Sequence, residues 1–496
     1  MSQPKPNKTK RAVIIGAGIA GIASAIRLSV KGYQVTVFEA NDYAGGKLTA
    51  FEQDGYRFDA GPSLFTMPHY VDALFALAGK NPRKYFNYIK KDTSCTYFWD
   101  DGTQLTAWAD QDDFADEVQK KLGVPAVKVT KRLQKARRMY ELAGQIFMEK
   151  PLNRFSTWWS KDVVKTLLHL SQLDLLKSMH KANADQLENP KLVQLFDRYA
   201  TYNGSDPYRA PGILNMIPHL ELGVGTFLPE KGMHQITTSL VELAQDLGVS
   251  FRYNSRVKKI IIEGGKAAGV ELDNETFKAE VVLSNMDITP SYRRLMPEVK
   301  APETKLRQEK SSSALIFYWG IKKAFTQLGL HNIFFSSNYK QEFEEIFKGK
   351  VPAADPTVYV NITSKDVPGD APEGCENWFV MVNVPTHNGQ DWEVLIPQYK
   401  AIIIQKLNKI LQTDLANLIE TEETLSPIEI ERKTASAGGS LYGTSSNSRY
   451  AAFLRHPNDH SNIDGLYFAG GSVHPGGGIP LCLLSARIVS EIIPQP

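Results

Sequence analysis

The sequence predicts an α/β protein with two parts: a parallel-sheet domain assembled from distant segments, and a second domain with a mixed β-sheet and a helical cap. Three observations lead to this fold class. A strand–glycine turn–helix–strand pattern opens the chain over residues 11–39. Apolar residues at helical spacing dominate residues 110–200, and β-rich texture returns near Gly223. A strand, a glycine loop and a helix close the chain, so both ends contribute to one α/β unit.

The opening unit has the pattern of a dinucleotide-binding fold. Two apolar runs flank a glycine turn and an amphipathic stretch, and the unit contains Gly16, Gly18, Gly21 and Glu39. Gly16 permits a tight turn, Gly18 lets the backbone approach a pyrophosphate, and Gly21 lets the helix pack closely on the strand. A carboxylate at the end of the second strand accepts hydrogen bonds from an adenosine ribose. The pattern predicts a Rossmann-type unit, the alternative being a fortuitous glycine turn.

Composition is that of an ordinary globular protein. The 496 residues allow two or three domains, with 42% hydrophobic and 22% charged residues. The net charge of +3 is small and argues against a nucleic-acid partner. Cys95, Cys375 and Cys482 show no metal-ligand spacing, so we expect no metal site and a reducing compartment. We expect neither a signal peptide nor a transmembrane helix, because no secretory apolar core follows the basic N-terminus and no apolar run reaches about 18 residues.

The distribution of helix-like and strand-like segments along the chain suggests domain boundaries. We expect the parallel-sheet domain to comprise residues 11–90, 223–300 and 430–496. The second domain would comprise residues 91–222 and 301–429, with the helical cap over about 110–222. Within these parts we expect strands at 251–257, 259–262, 281–283, 314–319, 378–384 and 466–469, and a final helix at 481–493. One helical face of the cap would contain Val163, Val164, Leu167, Leu168, Leu175 and Met179.

Two glycine-bearing segments after Glu39 are further candidates for ligand contact. Gly45 and Gly46 let the backbone come close to a ligand, and Lys47 offers a cation to phosphate. The alternative is a surface turn with a solvated lysine. The loop at residues 59–63 either reaches the reactive part of the same ligand or is a plain turn.

The C-terminal segment is the second strong signal. A strand at 465–469 ends in a glycine pair, and residues 472–480 then open the last helix with three more glycines. Backbone N–H groups at such a helix start suit an electron-rich ring edge or a ribityl oxygen. We therefore expect a second ligand-contacting loop here rather than a structural one.

Together these segments resemble the FAD-dependent amine oxidase superfamily. From residue 11 to the C-terminus the chain is similar to carotenoid desaturases of the bacterial phytoene-desaturase type. The distinctive stretches are residues 202–207 with 210–211, 228–234, 283–287, 312–315 and 474–480. The tail at 481–486 resembles the hydroxycarotenoid 3,4-desaturases. Lys231 and Ser472 depart from the glycine and threonine common in the family.

The resemblance implies FAD as the cofactor and assigns its contacts residue by residue. Val257 would touch the adenine side from its strand, and Asn285 would follow the next strand. The implied contacts are Gly16, Gly18, Gly21, Glu39, Gly46, Lys47, Pro62, Ser63, Val257, Asn285, Gly471, Gly478 and Ile479, with Leu441 and Tyr442 as weaker candidates near the ring.

The resemblance also implies an FAD-dependent carotenoid desaturase that introduces a C=C bond next to the polyene of an acyclic or monocyclic carotenoid. The implied subtype is a 1'-hydroxycarotenoid 3,4-desaturase acting by hydride transfer to flavin N5. Its partners would be the carotenoid, the inner face of the cell membrane as a peripheral cytoplasmic protein, and a quinone or oxygen as electron acceptor. Residues 155–179, with Trp158 and Trp159, suit an interfacial helix, or else a cap helix buried on the domain below.

Several alternatives remain at this point. The sequence names no catalytic residue; the candidates for a base are His219, His234, His474, Asp197 and Glu230. Arg198, near Tyr199 and Tyr202, would recognise a substrate hydroxyl or be an ordinary ion-pair partner. The rival functions are a phytoene- or neurosporene-type desaturase, a redox-neutral carotenoid isomerase, an FAD amine oxidase, and a non-catalytic carotenoid or FAD carrier.

Overall fold

The computed structural model describes residues 10–144, 148–150, 159, 166, 169–448 and 450–496. Its strands are, in chain order, β1 (Arg11–Ile15), β2 (Gln34–Phe38), β3 (Ala50–Gln53), β4 (Tyr56–Asp59), β5 (Tyr88–Lys90), β6 (Thr93–Phe98), β7 (Gln104–Trp108), β8 (Phe227–Pro229), β9 (Ser250–Arg252), β10 (Lys259–Glu263), β11 (Lys266–Glu271), β12 (Thr276–Lys278), β13 (Val281–Ser284), β14 (Ser313–Ile321), β15 (His331–Phe334), β16 (Val358–Asn361), β17 (Glu376–Val384), β18 (Ile419–Leu425) and β19 (Leu466–Phe468).

The described residues also form α-helices. They are α1 (Ile19–Val30), α2 (His69–Leu77), α3 (Gln111–Leu122), α4 (Ala126–Met139), α5 (Met179–Leu187), α6 (Pro190–Asp197), α7 (Ile217–His219), α8 (Gln235–Asp246), α9 (Ile288–Pro290), α10 (Glu303–Leu306), α11 (Tyr339–Glu344), α12 (Trp392–Leu411), α13 (Pro427–Thr434), α14 (Ala451–Leu454) and α15 (Ile479–Ile492).

A five-stranded parallel sheet organises the first part of the fold, with strand order β19-β13-β1-β2-β9. Its strands come from both ends and the middle of the chain, as predicted. The last four residues of β1 and of β2 are buried, because both faces of the sheet are covered. Ile14 shares one core with Ile22 of α1, and Val13 shares another with Val270 of β11. Helix α1 packs against α8 and the C-terminal α15, which joins the two chain ends.

A seven-stranded mixed sheet forms the second part, with order β18-β14-β17-β16-β15-β6-β7. Only the β15–β6 pair within it is parallel. Side chains alternate across a strand: Phe317 and Trp319 pack in the same core as Ile403 and Leu407 of α12. Tyr318, on the opposite face, is left for the cavity described below.

Helices α3 to α6 form the predicted cap, and they pack on the β6–β15 end of this sheet. Val118 of α3, Leu133 of α4 and Leu195 of α6 share one core with Tyr97 of β6. Of the predicted cap face, Met179 is buried and Leu175 half-buried, whereas Val163, Val164, Leu167 and Leu168 lie outside the described residues. Among the described residues, no helix combines the length and the apolar character that crossing a membrane requires.

One predicted strand is shorter than expected. The strand expected over 251–257 ends at Arg252, and Val257 lies in the connection between β9 and β10. Asn254 adopts a left-handed conformation, φ 50°. The N–H groups of Asn254 and Ser255 then donate to Asn41 O (2.9 Å) and Glu39 O (2.7 Å). These bonds turn the chain at the sheet edge, and β10 joins a different sheet.

Candidate active-site cavity

A cavity of about 1060 Å³ is lined by residues of both sheets. The ends of β1 and β2 and the starts of α1 and α15 line one side of it, and residues of the seven-stranded sheet line another. Ligand pockets typically measure roughly 300–1,000 Å³. This cavity therefore has room for a large cofactor or for a cofactor together with a substrate.

The glycine turn before α1 forms one wall. Gly16 has φ 95°, a conformation that favours glycine. A Cβ on Gly21 would stand 2.2 Å from Gly16 O, so only glycine lets α1 approach β1 this closely. Gly16 and Gly18 line the cavity, whereas Gly21 packs behind them. The first N–H groups of a helix lack partners within it and carry the positive end of its dipole, so this turn is suited to bind an anion.

Glu39 is fixed at the end of β2 by three hydrogen bonds. Its carboxylate accepts from the N–H of Ala17 at 2.7 Å, and from the N–H and side-chain amide of Asn41 at 2.9 and 3.0 Å. The side chain is buried yet belongs to the cavity wall. A carboxylate held there is placed to accept hydrogen bonds from a ribose.

Lys47 brings a cation to the same cavity. Its Nζ donates to Ser440 O and Leu441 O, both at 2.8 Å. Burial lowers the pKa of Lys47 to about 8, an effect that the Asp287 carboxylate opposes. The loop that contains Lys47 covers the glycine turn, since a Cβ on Gly46 would stand 3.5 Å from Gly18 Cα.

The loop after β4 packs tightly against the Lys47 loop. A Cβ on Gly61 would stand 1.7 Å from Lys47 O, so the contact requires glycine. Pro62 and Ser63 follow on the cavity wall. Ser63 Oγ lies 2.8 Å from the hydroxyl of Tyr359 on β16, which links this loop to the seven-stranded sheet.

The C-terminal loop and the start of α15 complete this side. A Cβ on Gly477 would stand 2.8 Å from Tyr442 Cα, so the loop touches the segment after α13. Gly478 has φ 104° and open space where a Cβ would be. It caps α15, so a second helix N-terminus opens onto the cavity.

The structure brings most of the predicted contact residues together on one surface. Of them, only Gly21 lies behind the wall; Val257 lies on it, although from a loop rather than a strand. The wall contains Gly16, Gly18, Glu39, Gly46, Lys47, Pro62, Ser63, Val257, Asn285, Leu441, Tyr442, Gly471, Gly478 and Ile479. The cavity is surrounded by two helix N-termini and the Lys47 side chain, which suit the two negative charges of the FAD diphosphate. The Glu39 carboxylate on the same wall suits a ribose of FAD.

The cavity face of the seven-stranded sheet carries residues that the sequence analysis did not single out. Ile316 and Tyr318 of β14 and Phe379 and Met381 of β17 provide a mainly apolar part. His331 and Tyr359, on the next strands, provide a polar part. No motif marks these residues; their placement follows only from the strand pairing.

Arg198 belongs to a buried polar network at this polar part. Its Nη2 donates to Tyr97 hydroxyl at 2.7 Å and to Glu221 Oε1 at 3.0 Å. Tyr199 and Tyr202 also donate to the Glu221 carboxylate. Burial raises the pKa of all three tyrosines well above its usual value, so they stay protonated. Arg198 is thus an ion-pair partner, and it lines the cavity as well.

The five candidates for a base have different environments. His234 lines the cavity, and burial lowers its pKa. His474 donates through Nε2 to Lys150 O at 2.8 Å, and burial lowers its pKa to about 4. The Asp197 carboxylate forms hydrogen bonds with His180 and Asn183. Glu230 is exposed, and the ring of His219 packs on Tyr140. We assign none of them as a catalytic residue.

The chain is similar to known proteins along nearly its full length. The family model for flavin containing amine oxidoreductase matches residues 19–494. The chain is 54% identical over 486 residues to the 1-hydroxycarotenoid 3,4-desaturase of Flavobacterium sp. (strain P99-3), covering 98% of this chain and 99% of that protein. It is 32% identical to the 4,4'-diapolycopene oxygenase of Methylomonas sp, covering 98% of each. It is 30% identical to the phytoene desaturase of Fusarium fujikuroi, covering 98% and 89%.

Solved structures share the fold. A double mutant of putrescine oxidase superimposes with a TM-score of 0.64 at 15% identity, over 98% of this chain and 99% of that one. An oxidoreductase from Methanosarcina mazei gives 0.62 at 16% identity, over 97% and 100%. At these identities the likeness shows the fold alone.

Proposed function

The chain belongs to the flavin containing amine oxidoreductase family, and we propose that it is an FAD-dependent carotenoid desaturase, in particular a 1-hydroxycarotenoid 3,4-desaturase. The observation that carries this proposal is the 54% identity to a desaturase of that name along nearly the full length of both chains. The relatives named as an oxygenase and a phytoene desaturase match at only 32% and 30%. The large cavity with a partly apolar wall is what such a substrate would need.

The proposed FAD contacts follow the cavity wall. The start of α1 at Gly18, together with Lys47, would hold the diphosphate, and Glu39 would hold the ribose. Val257 would contact the adenine side. The ring and ribityl chain would lie among the remaining wall residues, Gly46, Pro62, Ser63, Asn285, Leu441, Tyr442, Gly471, Gly478 and Ile479, with Gly16 and Gly21 shaping the turn. We also propose a division into two domains, one of residues 11–90, 223–300 and 430–496 and one of residues 91–222 and 301–429. All of these contact residues belong to the first domain.

When bound, FAD supplies the hydride acceptor, flavin N5, for oxidation of the carbon–carbon bond. The protein's own contribution is to hold the substrate. Ile316, Phe379 and Met381 offer an apolar surface along which a polyene would lie. A polyene lying on this surface would keep water away from the reacting carbons.

Expression in cells that make different carotenoids tests the proposed function. A hydroxylated acyclic or monocyclic carotenoid should give a product lighter by two hydrogens, measured by mass spectrometry. An unchanged mass would indicate an isomerase, and an added oxygen atom would indicate an oxygenase. Turnover of phytoene or neurosporene instead would indicate the other desaturase type. Amine turnover with peroxide release, or bound pigment without any reaction, would indicate an amine oxidase or a carrier.

We further propose that the protein docks peripherally on the inner face of the cell membrane and passes electrons to a quinone or oxygen. Its substrate is apolar and would be drawn from a bilayer. Trp159 and Leu176, both in the predicted interfacial segment at 155–179, are 76% and 82% exposed. Of the 25 residues of that segment, 12, including Trp158, lie outside the described residues. Exposed tryptophan and leucine side chains on the helical cap are suited to the interface between membrane and water.

A further inference from the structure

The cavity face of the seven-stranded sheet changes from apolar to polar across neighbouring strands. Met381 of β17 pairs with Tyr359 of β16, and Asn361 of β16 pairs with His331 of β15. Asn332 of β15 pairs with Thr96 of β6, so the residues before them, His331 and Cys95, lie on neighbouring strands. A polyene alone would need no polar wall, so these residues need another explanation.

Three residues of this wall each carry a buried polar atom that lacks a hydrogen bond among the described residues. These atoms are His331 Nε2, Ser94 Oγ and Arg198 Nε. All three residues line the cavity. Leaving buried polar groups unpaired costs free energy that a polar group of a ligand can recover. Because these three residues lie on the same part of the cavity wall, we infer that the ligand bound there carries a polar group.

The hydrogen bonds of His331 fix which ring nitrogen carries the proton. The side-chain amide of Asn361 donates to Leu330 O at 2.9 Å and to His331 Nδ1 at 3.2 Å, so Nδ1 is an acceptor. The hydroxyl of Tyr359, 2.7 Å from Nδ1, then donates to it and accepts from Ser63 Oγ at 2.8 Å. Burial lowers the pKa of His331 to about 3, so the ring is neutral. The single proton is therefore on Nε2, an unused donor.

We propose that the Nε2–H of His331 donates a hydrogen bond to the hydroxyl group of the carotenoid, which makes His331 a specificity-determining residue. Tyr359 is a positioning residue, because it holds Nδ1 as an acceptor. This inference rests on the proposed function, which supplies the hydroxylated substrate.

The position of the hydroxyl group on that substrate agrees with the location of His331 in the cavity. With the hydroxyl on carbon 1 and the new double bond between carbons 3 and 4, the oxygen is three bonds from the nearer reacting carbon. Its binding group must therefore lie beside the cofactor ring. The hydrogen-bonded chain begins at Ser63, in the loop proposed to contact that ring. This series of hydrogen bonds therefore has Ser63, beside the proposed ring position, at one end. The unpaired Nε2–H of His331 is at the other end.

The test is a comparison of kcat/KM on a hydroxylated carotenoid and on the matched carotenoid without the hydroxyl, using FAD-loaded protein. The wild type should prefer the hydroxylated substrate, because a site with a buried donor rejects an analogue that lacks the partner. His331→Phe should lower the ratio of the two kcat/KM values by about tenfold or more. His331→Gln, which keeps a donor, should retain part of the ratio, and Tyr359→Phe should lower it.

Tyr399→Phe is the matched control. It also removes one buried tyrosine hydroxyl, but Tyr399 is not part of the cavity wall and its hydroxyl donates to Ala353 O, so the ratio should stay at the wild-type value. A wild type that turns over neither carotenoid contradicts the proposed function. Equal wild-type kcat/KM values, or an unchanged ratio in both His331→Phe and Tyr359→Phe, overturn the hydroxyl site alone. If His331→Phe loses FAD, His331→Gln and Tyr359→Phe decide.

Discussion

A Cβ atom on Gly18 would stand 2.6 Å from the side-chain oxygen of Asn285. That oxygen cannot easily move, because the amide nitrogen of Asn285 donates to Ala469 O at 2.8 Å. The end of β13 thus sets the space available to the glycine turn before α1. Any side chain at position 18 would be forced against Asn285 or into the space proposed for the diphosphate.

The first prediction concerns this contact. Gly18→Val should abolish FAD retention, because the valine side chain collides with Asn285 and blocks the start of α1. The ratio of flavin to protein absorbance after purification measures how much FAD the variant retains. Gly369→Ala is the control, since a Cβ there meets nothing within 4 Å, and it should retain FAD. A Gly18→Val protein with full flavin absorbance would exclude this pocket.

The second prediction concerns pH. The pKa of Lys47 in the free protein is lowered to about 8, so the ammonium is charged below this pH and increasingly neutral above it. A bound diphosphate favours the charged form, so binding takes up a proton above pH 8. The Kd for FAD should therefore rise by up to about tenfold per pH unit above 8.

Titrations of the FAD-free protein between pH 7 and 9.5 measure this effect. Lys47→Arg should bind FAD with little change over the same range, because arginine stays charged. Lys47→Met should bind weakly at every pH. A wild-type Kd that stays constant above pH 8, or a Lys47→Met variant that keeps the decline, would show that Lys47 does not face the diphosphate.

The third prediction concerns the buried ion pair of Arg198 and Glu221. Arg198→Met leaves a carboxylate buried without its cation, which should lower the free energy of unfolding by about 3–5 kcal/mol. The double variant Arg198→Met with Glu221→Met removes both charges and should lose less than the single variant. Thermal unfolding of the FAD-loaded proteins compares them. Losses that simply add would show that the two side chains are not coupled.

The fourth prediction concerns the membrane. Trp159→Glu and Leu176→Glu should weaken co-sedimentation with anionic liposomes, because each places a charge in the proposed interfacial surface. Val351→Glu is the control: Val351 is 48% exposed, lies outside the cap, and its substitution should leave binding unchanged. Wild-type protein that does not sediment with liposomes would remove the docking proposal.

The sequence was most informative where contacts are local. Gly16, Gly18 and Glu39 belong to one short unit, and Glu39 accepts a hydrogen bond from Ala17 within it. That both ends of the chain contribute strands to the parallel sheet followed from that unit and from the strand near the C-terminus. The strand expected over 251–257 includes Val257, but β9 ends at Arg252 and the left-handed Asn254 turns the chain.

The substrate side could not be predicted in the same way. His331 is one histidine in a four-residue strand, and nothing around it in sequence marks a site. Its environment depends on β15 pairing with β6 and β16, whose residues are far away in the chain. The Arg198 network likewise joins Tyr97 and Glu221 across long separations. Such contacts arise only from the folded topology.

An anaerobic titration of the FAD-loaded protein with a hydroxylated carotenoid tests the central claim most directly. The account predicts that the absorbance of oxidised flavin is lost in a one-to-one ratio with formation of a product lighter by two hydrogens. Flavin that stays oxidised while product forms, or a product of unchanged mass, would contradict it.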